Sequence, residues 1–93
     1  MQTIKPNDTI TIKLMSGEEV VGRLVEEKDD MFIVAKPMAI VNMPSGIGLG
    51  PYIFTAQPHS SIPIVKQNVV SWCLTESGMA RKYAEGTTGL KLS

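Results

Sequence analysis

The sequence predicts a small, mostly β domain: five short antiparallel strands curled into an open barrel, with one short C-terminal helix. Three observations predict it. Residues 9–14, TITIKL, alternate strictly between polar and apolar, the mark of a half-buried strand. The second and third strand segments carry apolar residues on both faces, which a flat sheet with one wet face does not favour. The chain then changes character at residues 77–86, SGMARKYAEG, where the spacing becomes helical.

The elements follow in order. Ile10, Ile12 and Leu14 point to one face of the first strand, and Thr9, Thr11 and Lys13 to the other. MSGE is a turn in which Gly17 can take positive φ. EVVGRLVEE is the second strand, with Val20, Gly22 and Leu24 on one face. Gly22 weakens a strand interior, so its presence calls for a sharp bend there. EKDD, residues 27–30, is a charged turn, and MFIVAKPMAIVNM is a long third strand. Pro37 cannot donate to a ladder, so that strand bulges or lies at an edge. PSGIGLGP, residues 44–51, places three glycines between two prolines and reads as a loop. YIFTA is the fourth strand; QPHSS is a turn or bulge within it, after which IPIV resumes the apolar pattern. KQN is a tight turn and VVSWCL the fifth strand. Ser77 is the expected N-cap of the helix, Met79 and Tyr83 share a face, and Gly86 is the expected stop. TTGLKLS is a tail.

Composition bounds the function. The 93 residues suffice for one domain. Nine basic side chains balance nine acidic ones, so the chain lacks the basic footprint of a duplex-coating protein, though a local patch for a few nucleotides stays open. The single cysteine, Cys73, allows no internal disulfide and fits a reducing compartment. With no signal-like or membrane-spanning apolar run, a cytoplasmic protein is expected. A core this small favours burial by self-association.

LMSGEEVVGRL, residues 14–24, resembles the first signature motif of Sm-like proteins: Leu14, Gly17, Val20, Gly22 and Leu24 fill its places. The resemblance implies a small open barrel of five strongly bent strands over residues 9–74, after an N-terminal arm, 1–8, and before a helix and tail, 75–93. Its second glycine stands where the long second strand bends most. GEEVVGRL, KPMAIV, PYIFTAQP, IPIVKQNVV and the TTGL tail are together most similar to Sm-like proteins of tailed cyanobacterial and marine phages. That similarity implies location in a host cytoplasm. The family further implies a homo-oligomeric ring of five to seven copies and single-stranded RNA as a partner.

The departures bear on that function. Pro6 discourages the helix that precedes the family's first strand. The family's uridine pocket takes an aspartate and an asparagine; those places fall on Lys28 and Phe32. A slip of one puts Asp29 in the first place and Ile33 in the second. The second motif's Arg-Gly pair falls on Val65 and Lys66. The bacterial RNA chaperone Hfq carries Tyr-Lys-His there, of which Val65-Lys66-Gln67 keeps the lysine and a polar third residue.

RNA binding in such a pocket needs a stacking surface, an edge reader and a cation for phosphate. Phe32 can stack, Lys66 can meet phosphate, and Gln67 or Asn68 can read a base edge. The plainer reading makes Phe32 core, Lys66 solvated, and Gln67 and Asn68 turn formers. Tyr52, Phe54 and Trp72 serve as nucleobase contacts or as core and interface anchors. The acidic turn of Glu26, Glu27, Asp29 and Asp30 lacks the spacing and glycine of a calcium loop. GIGLG lacks the lysine of a phosphate loop. His59 and Cys73 have no visible orienting partner, and Cys73 reads as a small buried hydrophobe. No catalytic residue, metal or cofactor is expected.

Overall fold

The computed structural model describes residues 3–53, 55–57 and 60–88. Phe54, Pro58, His59 and the tail beyond Thr88 lie outside the described residues. Among the described residues six strands run in chain order: β1 (Thr9–Leu14), β2 (Glu19–Glu27), β3 (Met31–Met43), β4 (Gly46–Pro51), β5 (Ser61–Val65) and β6 (Val69–Leu74). A three-residue 3₁₀ turn, Lys66–Asn68, joins β5 to β6, and α1 spans Ser77–Thr88. The antiparallel sheet is ordered β4-β3-β2-β1-β6, with β5 also on β3. β5 pairs with residues 31–35 of β3 and β4 with residues 38–43, so the two lie in line along one margin of that long strand.

The first hairpin forms as the sequence reads. Leu14 N–H donates to Glu18 O and Gly17 N–H to Leu14 O, both at 2.9 Å. That closes a three-residue loop whose last residue, Gly17, sits at φ +99°, where a side chain would be strained. Cross-strand partners share a face, and Ile10, Ile12, Leu14, Val20, Leu24, Phe32, Val34 and Ile64 form one buried cluster inside the curl.

Gly22 is the tightest point of that curl. Across from it, β2 spends one residue between Val21↔Met38 and Arg23↔Ala35, while β3 spends two, Lys36 and Pro37. This is a β-bulge, which bends the strand and raises its twist. Lys36 takes φ +49° within it, and the bulge falls at the proline that has no N–H to give. A Cβ on Gly22 would collide with Val34 Cγ1 and lie 3.3 Å from Ala35 O. The missing side chain is what lets β3 close over the inner face of β2.

Four expectations are corrected. Residues 44–51, expected as a loop, supply β4, which forms a hairpin with β3. Its alternate glycines explain the misreading: a Cβ on Gly48 would collide with Met43 Sδ, and one on Gly50 would touch Val41, so the longer strand's side chains lie over the bare one. The expected YIFTA strand is absent among the described residues, Tyr52 and Ile53 forming a bend. The helix cap is Glu76 rather than Ser77. Its carboxylate accepts Gly78 N–H at 2.8 Å and Met79 N–H at 3.0 Å, and these bonds hold its pKa below the usual carboxylate range. α1 also continues past Gly86.

The helix folds back onto the outside of the barrel. Val21, Ala35 and Tyr83 are buried yet stand apart from the inner cluster, which accounts for the two-sided apolar pattern of β2. The Tyr83 hydroxyl lies 2.9 Å from Ala35 O and from Lys36 O and shares its one proton between these carbonyls at the bulge. Lys36 Nζ in turn donates to Thr87 O at 2.9 Å, near the helix's negative C-terminal end.

Gly22→Ala is expected to destabilise the fold by about 1–3 kcal/mol as overpacking, read as a lower urea midpoint. Combining it with Val34→Ala should cost less than the two single changes together, because the shared clash is relieved. Tyr83→Phe should cost about 1–3 kcal/mol, since buried carbonyls lose their donor. Burial raises the Tyr83 pKa above its ordinary 10.0, so the neutral phenol is the form the fold holds. Its contribution is full below about pH 10 and is lost as pH rises through the folded value. Alkaline titration of stability should show this loss in the wild type and not in Tyr83→Phe.

Candidate functional site at the barrel seam

The curl brings β5 and β6 together at the 3₁₀ turn without pairing them, so the barrel has a seam. The turn is pinned from both sides: Lys66 N–H donates to Asp30 O at 2.9 Å, and Met15 N–H donates to Asn68 O at 2.8 Å. The β2–β3 and β1–β2 turns thereby fix the backbone that carries Lys66, Gln67 and Asn68.

Side chains cross the seam where the backbone does not. Trp72 of β6 stands opposite Ile12 and so points inward. It meets Phe32 of β3 edge-on, with centroids 5.1 Å apart and planes at 63°, a favoured aromatic geometry. Lys66 Nζ sits 5.0 Å from the Phe32 centroid and 5.9 Å from that of Trp72, within cation–π reach. It also makes a 2.7 Å ion pair with Glu27 Oε2.

Phe32, expected as a candidate stacking surface, is fully buried and belongs to the core, so it offers no face to a base. Lys66 is beside it, as the candidate pocket requires, but its charge is already matched by Glu27. Gln67 and Asn68 are exposed, and Asn68 lines a cleft of about 330 Å³ with Leu14, Met15, Tyr52 and Val65. Gly17 and Gly22 hold the roles described above and are remote from chemistry. Cys73, read as a buried hydrophobe, is exposed, because it stands opposite Thr11 on the outer face.

Two participants were not legible as such. Glu27 is separated from Lys66 by 39 positions, and its place in an acidic turn pointed to solvent. Trp72 was an aromatic of open role, and only the curl shows that Phe32 lies across from it. Among the described residues no group of three His, Cys, Asp or Glu side chains is placed to hold a metal. No helix among them is long and apolar enough to cross a membrane.

The site is therefore a neutral, aromatic-floored seam between two strand margins. Trp72 is 43% exposed and Val65 and Val70 are 43% and 63% exposed. None of the residues of β4, β5 or β6 carries a charge. Such margins aim N–H and C=O groups outward, except at Pro63 of β5, which has no N–H, and can take up another strand. No family model matches the chain, and no curated protein matches it.

Proposed function

We propose that the chain is an Sm-like subunit, phage-encoded, that assembles with copies of itself into a closed ring and acts as a structural or protein-binding module. One observation carries this: both margins of an open barrel, at β5 and β6, are unpaired by any described strand, uncharged, and lined by exposed apolar side chains. Monomeric proteins blunt such edges with charges and prolines; here Pro63 of β5 is the one such residue on the two strands. The pairing of one copy's β5 with the next copy's β6 is heterologous, and such contacts close into rings when the rotation permits. The range of five to seven copies comes from the family resemblance.

A second reading keeps single-stranded RNA as the ligand. It is favoured by Trp72, a half-exposed indole lying against Lys66, with Gln67 and Asn68 following in the chain. Here Trp72, not Phe32, is the stacking surface, and Glu27 must release Lys66 before it reaches a phosphate.

Light scattering at micromolar concentration is expected to give a mass of several chains. Val70→Lys, which touches an exposed position outside the core, should lower it to one chain with the circular dichroism unchanged. A monomeric wild type overturns the ring. For the second reading, oligo(U) and oligo(A) titrations at low salt should quench Trp72, weaken on Lys66→Ala and tighten on Glu27→Gln. A flat titration with both oligomers leaves the protein module alone. The salt slope should be shallow, with about one phosphate contact per subunit.

A further inference from the structure

Fourteen consecutive residues, 38–51, contain no charged side chain, in a chain of which 19% is charged. They form the outer part of β3 and the whole of β4, a two-stranded ribbon. Large apolar side chains stand exposed on it: Val41 at 38%, Met43 at 50% and Ile47 at 52%. They do not share a face. Val41 and Met43 stand opposite Gly48 and Gly46, whereas Ile47 stands opposite Asn42, so the ribbon is apolar on both sides. Its outer margin along β4 meets no described strand. An isolated two-stranded ribbon is marginal in water; this one exposes apolar side chains on both faces, and Lys82 of α1 meets its outer edge, Nζ donating to Ile47 O at 3.2 Å.

We infer that this ribbon is a second contact surface between copies of the chain, locking onto the neighbour that pairs with β5. The inference rests on the ring reading above. The occupant follows from continuity: β4 and β5 lie in line on the same margin of β3, so a copy seated on β5 has the ribbon beside it. Direction supports this. A neighbouring β6 paired antiparallel to β5 starts beside Val65 and ends beside Ser61, and its chain then leaves toward β4. What leaves is the segment through Thr75 into α1. The neighbour's β6, which pairs with β5, carries no charge; the segment that follows it brings Glu76, whose carboxylate is already engaged by Gly78 and Met79 N–H.

Two measurements on the full chain test this. The first is the dissociation constant of assembly, from light scattering over a dilution series, for the wild type and for Met43→Lys combined with Ile47→Lys. The double variant is expected to weaken assembly at least tenfold, with unchanged circular dichroism; a change within twofold overturns the inference. The second uses the wild type alone and holds even if that variant misfolds. Amide hydrogen exchange should slow with rising protein concentration both in β6 and at residues 46–50. Slowing in β6 without slowing at 46–50 overturns the ribbon contact and leaves the ring standing. A wild type that stays monomeric at every concentration overturns both.

Discussion

The close approach of β3 to Gly22 is the constraint on which the rest of the structure depends. Val34 Cγ1 fills the space a Cβ would need, and Ala35 O and Pro37 Cα stand behind it. Because that contact is on the concave face, it draws the long third strand inward; because Lys36 and Pro37 bulge against a single residue, it also divides β3 into two halves. One half is partnered by β5 and the other by β4. The same bulge leaves Ala35 O and Lys36 O for the Tyr83 hydroxyl. One missing side chain thus sets the curvature, the split margin and the anchor point of the helix.

The curl is completed by side chains, and this decides what the seam can do. Backbone pairing between β5 and β6 would have closed the barrel and left no seam for association. Instead the edge contact of Phe32 with Trp72, worth about 0.5–1.5 kcal/mol beyond its area, spans the gap. Lys66 lies over both rings while bonded to Glu27. Its ion pair is partly exposed, so it contributes about 1 kcal/mol or less and opens readily. The groups that a nucleotide pocket would use are the groups that here hold the seam's floor, which is why the proposed function puts assembly before nucleic acid.

What was legible in the sequence is what local geometry dictates. TITIKL alternates because one face is wet; Gly17 takes positive φ because the turn needs it; Pro37 marks the bulge because it has no N–H. The missed features are non-local. GIGLGP has a loop's composition, and only Met43 and Val41 lying over its glycines make it a strand. Ser77 is a better cap by residue type, but Glu76 stands one place earlier and its longer side chain reaches two N–H groups. Periodicity could put Phe32 on a face without saying that the face is sealed. Nor could it join Glu27 to Lys66 or Trp72 to Phe32, contacts that exist only once the sheet has curled.

Magnitudes explain why the proposed assembly needs more than strand pairing. β5 offers five residues, and a few interstrand hydrogen bonds at about 0.5–1.5 kcal/mol each give roughly 3–6 kcal/mol. Fixing one copy against another costs about 4–15 kcal/mol in rigid-body freedom. Pairing alone therefore does not hold a pair of subunits together at micromolar concentration. Burying an exposed large apolar side chain returns about 1.5–3 kcal/mol, and Val65, Val70 and Trp72 flank the seam while Val41, Met43 and Ile47 stand on the ribbon. With pairing, the three seam side chains give about 7.5–15 kcal/mol, roughly level with that cost, and the three on the ribbon supply the surplus that association at micromolar concentration needs. Closure then adds a contact without a further loss of freedom, since the last subunit of a ring binds on both sides. On this reasoning the apolar ribbon and the open seam are two parts of one interface, and a chain of net charge zero brings no long-range repulsion against it.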